Sequence, residues 1–197
     1  MATVVRVAVD VKAWMTSLPS VSAIRPARCP GCGVCGEVSG DVRLHGHGLR
    51  ERLLCGPLAV GDAPGEHTVS VRRYRCRECG ELVQVGPNAL LRRRRYGLLG
   101  IVLAFVAWGI DVQSAWEARV AVSPQRVFGD GTNGRWPMLR RWVQDFTANN
   151  RRVSACNQRA AGDLVHRWAA HALVPNLGAS ISHRAFRGAL LATARDH

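Results

Sequence analysis

Two short cysteine motifs are the residues in this sequence best suited to do chemistry. Each places two cysteines three positions apart and follows them with glycine, at Cys29-Pro-Gly-Cys32-Gly and Cys76-Arg-Glu-Cys79-Gly. Two thiolates on such a tight turn form a zinc knuckle, and the glycine lets backbone amides point at the sulfurs. A lone Cys-x-x-Cys is also typical of a redox pair, but the repeat favours metal binding. The spacing therefore predicts one structural zinc ion bound by Cys29, Cys32, Cys76 and Cys79.

Other potential ligands lie near or between the two motifs. Cys32-Gly-Val-Cys35-Gly overlaps the first motif and is a rival knuckle. His45 and His47 are alternative ligands, but four thiolates already complete a structural site, which favours a histidine contact with phosphate or backbone. Cys55 and Cys156 lie outside any ligand spacing and are interpreted as small buried hydrophobic residues.

The charge of the chain indicates a polyanionic partner. Lys and Arg number 27 against 14 Asp and Glu, which gives a net charge of +13, and every basic residue except Lys12 is arginine. Arginine suits phosphates and guanine edges. Seven cysteines without a secretory signal predict a reducing, cytoplasmic location. The apolar residues 97–110 are too few to span a bilayer, so we expect a buried helix and no membrane association.

The first half of the chain has the alternation of β-strands. Alternating valines open it, followed by a short helix around Trp14. Strands are expected at residues 42–44, 49–54, 68–75 and 81–85, separated by a turn at Gly46 and Gly48 and by the loop 61–65. Residues 1–88 are therefore predicted to be a zinc ribbon with an N-terminal extension.

The second half of the chain has helical periodicity. A buried helix is expected at residues 96–109, and Ser114-Ala-Trp-Glu117 has the spacing of a capping box. A short helix at 123–128 and a stronger one at 137–146 complete a helix-turn-helix layout within residues 89–150. Residues 151–197 are predicted to form packing helices. The expected fold class is α+β, with a β-rich zinc ribbon followed by an all-helical region.

Several motifs occur in a recognisable order between about Arg25 and Phe146. They are Cys-Pro-x-Cys-Gly, Leu44-His-Gly-His-Gly-Leu-Arg-Glu-Arg52, Gly56-Pro57, Val71-Arg-Arg-Tyr-Arg-Cys76, and Arg94-Arg95-Tyr96 before an apolar helix. Together they resemble the zinc-ribbon and helix-turn-helix head of bacterial insertion-sequence transposases, in its small stand-alone form. The resemblance favours Cys29 and Cys32 over Cys35 as ligands. It implies binding of double-stranded DNA at element ends or at a promoter, with a separately encoded transposase subunit as a further candidate partner.

The sequence predicts that this protein is not an enzyme. A transposase of the three-carboxylate kind needs an RNase-H-like domain that holds two metal ions after this head. The only acidic residues past Asp130 are Asp145, Asp163 and Asp196, and none lies in a strand-like segment. We therefore expect no catalytic triad.

Predicted DNA contacts fall into a phosphate-binding run and a base-reading helix. In the transposase heads a Ser-Pro turn leads directly into an Arg-Arg-Trp helix, whereas residues 127–135 intervene here, so residues 137–146 are the preferred recognition helix and 123–128 the alternative. The predicted contacts are Arg92, Arg93, Arg94, Arg95, Arg126, Arg135, Arg140, Arg141 and Gln144.

Two other functions remain open on the sequence. One is an RNA-binding zinc-ribbon protein of the translation or transcription machinery, although RNA modules usually expose aromatic residues. Trp108, Trp142 and Trp168 lie instead on apolar helical faces. The other is an inactive transposase remnant.

Overall fold

A computed structural model describes residues 3–123, 136–147, 157–172 and 179–194. The fold is mixed α+β and divides into two compact units. Residues 3–54 and 67–95 form the first, which we call the sheet unit. The second, the helical unit, contains Cys55–Glu66 and the described residues from Tyr96 onward.

The sheet unit is built on a four-stranded sheet in the order β1-β6-β5-β4. Its strands are β1 Thr3–Val7, β4 Leu44–Gly56, β5 Gly65–Cys76 and β6 Leu82–Pro87. The distal ends of β4 and β5 belong to the helical unit. β1 pairs in parallel with β6, while β5 and β6 are antiparallel. A helix, α1 Val11–Thr16, and a two-stranded hairpin of β2 Glu37–Val38 and β3 Asp41–Val42 complete the unit.

One face of this sheet is the core of the unit. Tyr74 and Val83 lie opposite each other on neighbouring strands, and neither is exposed to solvent. Trp14 of α1 is also buried, and its indole Nε1 donates a hydrogen bond to the Ser70 carbonyl oxygen at 2.8 Å. The Tyr74 hydroxyl donates to the Val21 carbonyl oxygen at 2.7 Å. Trp14 and Tyr74 each contribute a large apolar area to the core, and these hydrogen bonds satisfy their polar atoms.

The expected turn at Gly46 and Gly48 is wrong, because β4 runs through both glycines. Gly48 has a φ of 80°, which glycine adopts without a steric penalty. At Gly46 an added Cβ would lie 2.9 Å from Cγ1 of Val21. Glycine within a strand often marks such a close approach, and here both glycines permit an extended strand instead of ending it.

The helical unit contains the remaining described helices. They are α2 Leu98–Phe105, α3 Ala115–Val122, α4 Pro137–Thr147, α5 Gln158–Ala170 and α6 Ile181–Ala194. The chain continues from α2 into a π-helical turn, Val106–Ile110. Within the described ranges, no helix combines the length and apolar character needed to cross a bilayer.

Glycine allows two of the closest helix contacts in this unit. A Cβ at Gly109 would overlap the backbone of Ala161 and Gly162 at the start of α5. A Cβ at Gly188 of α6 would overlap the carbonyl of Trp168 in α5. Trp168 itself stacks on Phe105 with ring centroids 6.0 Å apart. The positions of α5 and α6 therefore depend on residues without side chains as much as on large aromatic residues.

The predicted capping box at the start of α3 is confirmed. The Ser114 hydroxyl accepts the Glu117 N–H at 3.2 Å, and the Glu117 carboxylate accepts the Ser114 N–H at 2.7 Å. The backbone N–H of Ser114, and then its hydroxyl, lower the pKa of Glu117. The carboxylate is therefore favoured in its charged form, as the positive end of a helix requires.

Candidate metal centre

The structure brings the four predicted cysteines together. The sulfurs of Cys29, Cys32, Cys76 and Cys79 all lie within 4.8 Å of one another. Cys29 and Cys79 are 3.7 Å apart at Sγ, and Cys32 and Cys76 are 3.8 Å apart. A disulfide would need about 2.05 Å, so these are free thiols arranged around a common point.

The two motifs have the same backbone geometry. In the first, the Gly33 N–H donates to the Cys29 carbonyl oxygen at 2.8 Å, and the Cys29 N–H donates to that of Val34 at 2.8 Å. In the second, the equivalent bonds run from Gly80 to Cys76 at 3.0 Å and from Cys76 to Glu81 at 2.9 Å. Gly33 and Gly80 have φ of 74° and 73°, which explains why each motif ends in glycine.

The sulfur positions fit a tetrahedral metal ion. Four thiolates at about 2.3 Å from a common centre lie about 3.8 Å from one another. The Cys29–Cys79 and Cys32–Cys76 separations of 3.7 and 3.8 Å agree with that value, and the other sulfur pairs lie within 4.8 Å. Each motif contributes one buried cysteine, Cys29 or Cys76, and one exposed cysteine, Cys32 or Cys79.

The electrostatics of the cluster call for a cation. The backbone N–H of Cys79, followed by that of Glu78, lowers the pKa of Cys76 to about 7. For Cys79 the largest influence is the Glu81 N–H, which lowers the pKa, but burial and the three neighbouring thiols together raise it to about 12. One thiolate therefore forms readily and the next is opposed by its neighbours. A metal ion among the sulfurs removes that opposition.

Ion pairs attach the second motif to the small hairpin. Arg43 lies 3.4 Å from the Asp41 carboxylate and 3.7 Å from that of Glu78. Arg77 lies 3.8 Å from Asp41, and its backbone N–H donates to the Arg43 carbonyl oxygen at 2.9 Å. β3 therefore helps to hold residues 76–79 in position against the first motif.

The alternative ligands lie outside the cluster. Cys35 is half-buried, and His45 and His47 are exposed on β4. Cys55 is buried, as predicted, and its sulfur lies 3.7 Å from a Glu66 carboxylate oxygen. Cys156 is outside the described residues. Across the part of the chain that the structure describes, the four cysteines form the sole group of three or more His, Cys, Asp or Glu side chains with metal-binding geometry.

Residues 92–95, the predicted phosphate-binding run, form an ordered turn. The guanidinium of Arg52 donates to the carbonyl oxygens of Leu91 at 2.9 Å and Arg94 at 3.3 Å. Arg93 adopts a positive φ of 58° within this turn. This role of Arg52 was not predicted from the sequence, because an arginine within a strand carries no local signal of a partner about 40 residues away. Burial, and then the charge of Arg50, lowers the pKa of Arg52.

The predicted recognition helix has one buried face and one exposed face. Leu139, Trp142 and Val143 of α4 are buried, whereas Arg140, Arg141 and Gln144 are exposed. Aromatic rings fix the buried face, because Trp142 lies 5.2 Å from Tyr96 and 5.0 Å from Trp136 between ring centroids. Arg126, Arg135 and nearly all of the alternative helix at 123–128 lie outside the described residues.

The tryptophans divide between the core and the surface. Trp142 and Trp168 are buried, as the sequence predicts, whereas Trp108 is only half-buried. Trp116 of α3, for which the sequence predicted no role, is 39% exposed.

Comparison of the chain with protein-family models, with curated proteins and with solved structures finds no match.

Proposed function

We propose that this chain is a non-catalytic DNA-binding protein, related to the head of insertion-sequence transposases, that recognises element ends or regulates the element. The observation that carries the proposal is the ordered arginine turn at residues 92–95, fixed by the guanidinium of Arg52. Four arginines gathered in one folded turn add to the local positive potential, which attracts anionic partners. The phosphates of DNA provide such a partner, and the net charge of +13 has the same sign.

A zinc ion is the metal that best suits the four-cysteine site. Thiolates are soft ligands, and tetrahedral coordination by four sulfurs is typical of structural zinc. Four protein ligands fill the coordination shell, so no position is left for a water molecule or a substrate. This supports a structural role for the ion and a zinc-ribbon function for the sheet unit. The chemistry that zinc supplies is thus a cross-link between residues 29–32 and 76–79.

α4 is the recognition helix in this proposal. A recognition helix packs one face on its own domain and projects side chains from the other face into a major groove about 12 Å wide. The buried Leu139 and Trp142 meet the first requirement, and the exposed Arg140, Arg141 and Gln144 meet the second. The 11 residues of α4 extend over about 16 Å, which is long enough for several base contacts.

RNA binding is a second candidate, favoured by the exposed ring of Trp116. Single-stranded RNA is commonly recognised by stacking bases on aromatic side chains. Competition of duplex DNA against single-stranded RNA separates the two candidates. Preference for RNA, lost in Trp116→Ala, would replace the DNA proposal.

Binding of duplex DNA is expected to depend steeply on salt, because phosphates dominate the contacts. Log affinity should fall with log salt at about −0.9 per phosphate neutralised. Replacing residues 92–95 by glutamine should flatten that slope by about 2 to 4, if two to four phosphates are lost, and should weaken all sequences alike. Fluorescence anisotropy at a series of salt concentrations measures the slope.

Exposed arginines far along the chain provide the matched control for this experiment. Arg184 and Arg187 of α6 are both exposed, and replacing them removes positive charge without changing the turn. An unchanged slope in the variant at residues 92–95 would show that the run is only a connector. Equal losses in both variants would show that net charge alone drives binding.

The second expected result concerns sequence preference. Arg141→Ala should lose about 1–3 kcal/mol of discrimination between a selected site and random DNA, because a bidentate arginine contact to guanine has that magnitude. Selection of sites from a random DNA pool, repeated with the variant, measures the loss. Arg187→Ala is the control and should retain the preference. A preference that survives in Arg141→Ala and disappears in Gln125→Ala would transfer recognition to the alternative helix at 123–128.

A further inference from the structure

A second group of arginines lines an open pocket of about 440 Å³ in the sheet unit. Three neighbouring strands contribute to it, with Arg50 from β4, Arg73 from β5, and Leu82 and Gln84 from β6. The knuckle residues Cys79 and Gly80, together with Glu81, form its remaining wall. No role was predicted from the sequence for Arg50, Arg73 or Gln84.

Strand register places this pocket on the sheet face opposite the core. Arg73 is paired with Gln84, and the next pair along the strands is Tyr74 with Val83. Successive side chains of a strand point to opposite faces. Since Tyr74 and Val83 are fully buried in the core, Arg73 and Gln84 point away from it.

Two arginines and one carboxylate are the charged side chains that the pocket lining adds beside the cysteine cluster. Glu81 is its only acidic residue, and the carboxylate already accepts a hydrogen bond from the Thr3 hydroxyl at 3.0 Å. Over the described ranges, neither Arg50 nor Arg73 has an ion pair or a side-chain hydrogen bond. Two guanidinium groups around one cavity are suited to a phosphate, because each presents a planar set of donors to its oxygens.

The remaining lining residues suit a nucleotide better than a bare anion. A volume of about 440 Å³ is within the range of small-molecule sites. Leu82 is half-buried and offers an apolar wall to a sugar or base. Gln84 is only 7% exposed, and its amide can pair with the edge of a base, as glutamine does with adenine.

We propose that this pocket binds one nucleotide unit of a nucleic acid, with Arg50 and Arg73 contacting its phosphate and Leu82 and Gln84 facing its sugar and base. The inference rests on the proposed nucleic-acid function and adds a contact surface outside both the arginine turn and α4. Phosphate is the shared chemistry of two sources, a nucleic acid and a free nucleotide. Of these two, the nucleic acid is the proposed ligand.

The test uses the full zinc-loaded chain and an Arg50→Gln, Arg73→Gln double variant. Affinity for labelled duplex and single-stranded DNA should fall about tenfold or more in the double variant, since hydrogen bonds to charged groups are lost. The salt slope should decrease by about 0.9, the value for one phosphate. Arg75→Gln is the matched control, because Arg75 is exposed on the same strand and lies outside the pocket lining.

The Arg75→Gln control and a titration with a free nucleotide distinguish the possible outcomes. Equal losses in Arg75→Gln and in the double variant would overturn the pocket, because only the general field would then matter. Adenosine monophosphate is titrated in parallel by calorimetry. If the wild type binds the mononucleotide and no nucleic acid, the pocket's ligand is a free nucleotide. Both the nucleic-acid ligand and the proposed function would then be wrong. If the wild type binds DNA and the double variant binds it equally well, the pocket is not a DNA-binding site. That result would leave the proposed function intact. Metal content and circular dichroism show whether the double variant is folded. If it is not, the single variant Arg50→Gln is tested instead, because Arg50 is exposed.

Discussion

Cys76→Ser is expected to leave the purified chain with far less than one zinc ion per molecule and to unfold the sheet unit. The Cys76 side chain is 1% exposed and its sulfur lies 3.8 Å from that of Cys32, so serine would remove one of four ligands from the centre of the cluster. Structural zinc contributes about 10–16 kcal/mol of apparent binding free energy in small domains. That is comparable to the entire stability of an ordinary domain, about 5–15 kcal/mol.

Metal analysis and circular dichroism of the purified variant measure both effects. Cys35→Ser is the matched control, because Cys35 is close in sequence but lies outside the cluster, and it should retain one zinc ion. A chelator added to the wild type should reproduce the loss of structure seen in Cys76→Ser. Full zinc content in Cys76→Ser, or a loss in Cys35→Ser, would contradict the assignment of the ligands.

The second large effect is expected from a single methyl group in the helical unit. Gly188→Ala should lower the free energy of unfolding by about 3 kcal/mol, because the new Cβ would overlap the Trp168 carbonyl. The obstacle is backbone, which cannot rotate away as a flexible side chain would. α5 and α6 would have to move apart, and the packing of Trp168 on Phe105 would be disturbed. Thermal denaturation followed by circular dichroism measures the change.

Gly100→Ala provides the control, because it is the same substitution within another helix. At Gly100 the nearest atoms to a new Cβ, the Cys55 carbonyl oxygen and the Gly56 Cα, are both 3.7 Å away, an ordinary contact. Alanine should therefore be tolerated there and gain up to about 1 kcal/mol from its higher helix propensity. Equal shifts in melting temperature for the two variants would contradict the close packing of α5 against α6.

The features that could be predicted from the sequence depend on local patterns. The Cys-x-x-Cys-Gly repeat identified four cysteines that do converge, since each motif fixes its own turn. The Ser-x-x-Glu spacing predicted a capping box, because both partners lie within one turn of helix. The apolar spacing of residues 137–146 likewise predicted which side of α4 is buried.

The features that could not be predicted depend on contacts between distant residues. Gly46 and Gly48 have the composition of a turn, and only the nearby Val21 side chain shows why glycine is needed at position 46 within a strand. Arg52 holds a turn about 40 residues further along the chain, and nothing in its neighbourhood marks that partner. The π-helical turn after α2 could not be predicted either, because it lies within an unbroken apolar run that has no sequence signal for a change of helix type. Register between strands decided which arginines share a pocket.

The separation of the two cysteine motifs along the chain has a consequence for biosynthesis. Cys32 precedes Cys76 by 44 residues. At about 5–20 residues per second, a ribosome needs about 2–9 s to add them. Cys29, Cys32 and Cys35 are therefore made before Cys76 and Cys79, two of the four predicted metal ligands. Until the second motif is made, the thiols of the first motif have only half of the predicted ligand set and can be oxidised.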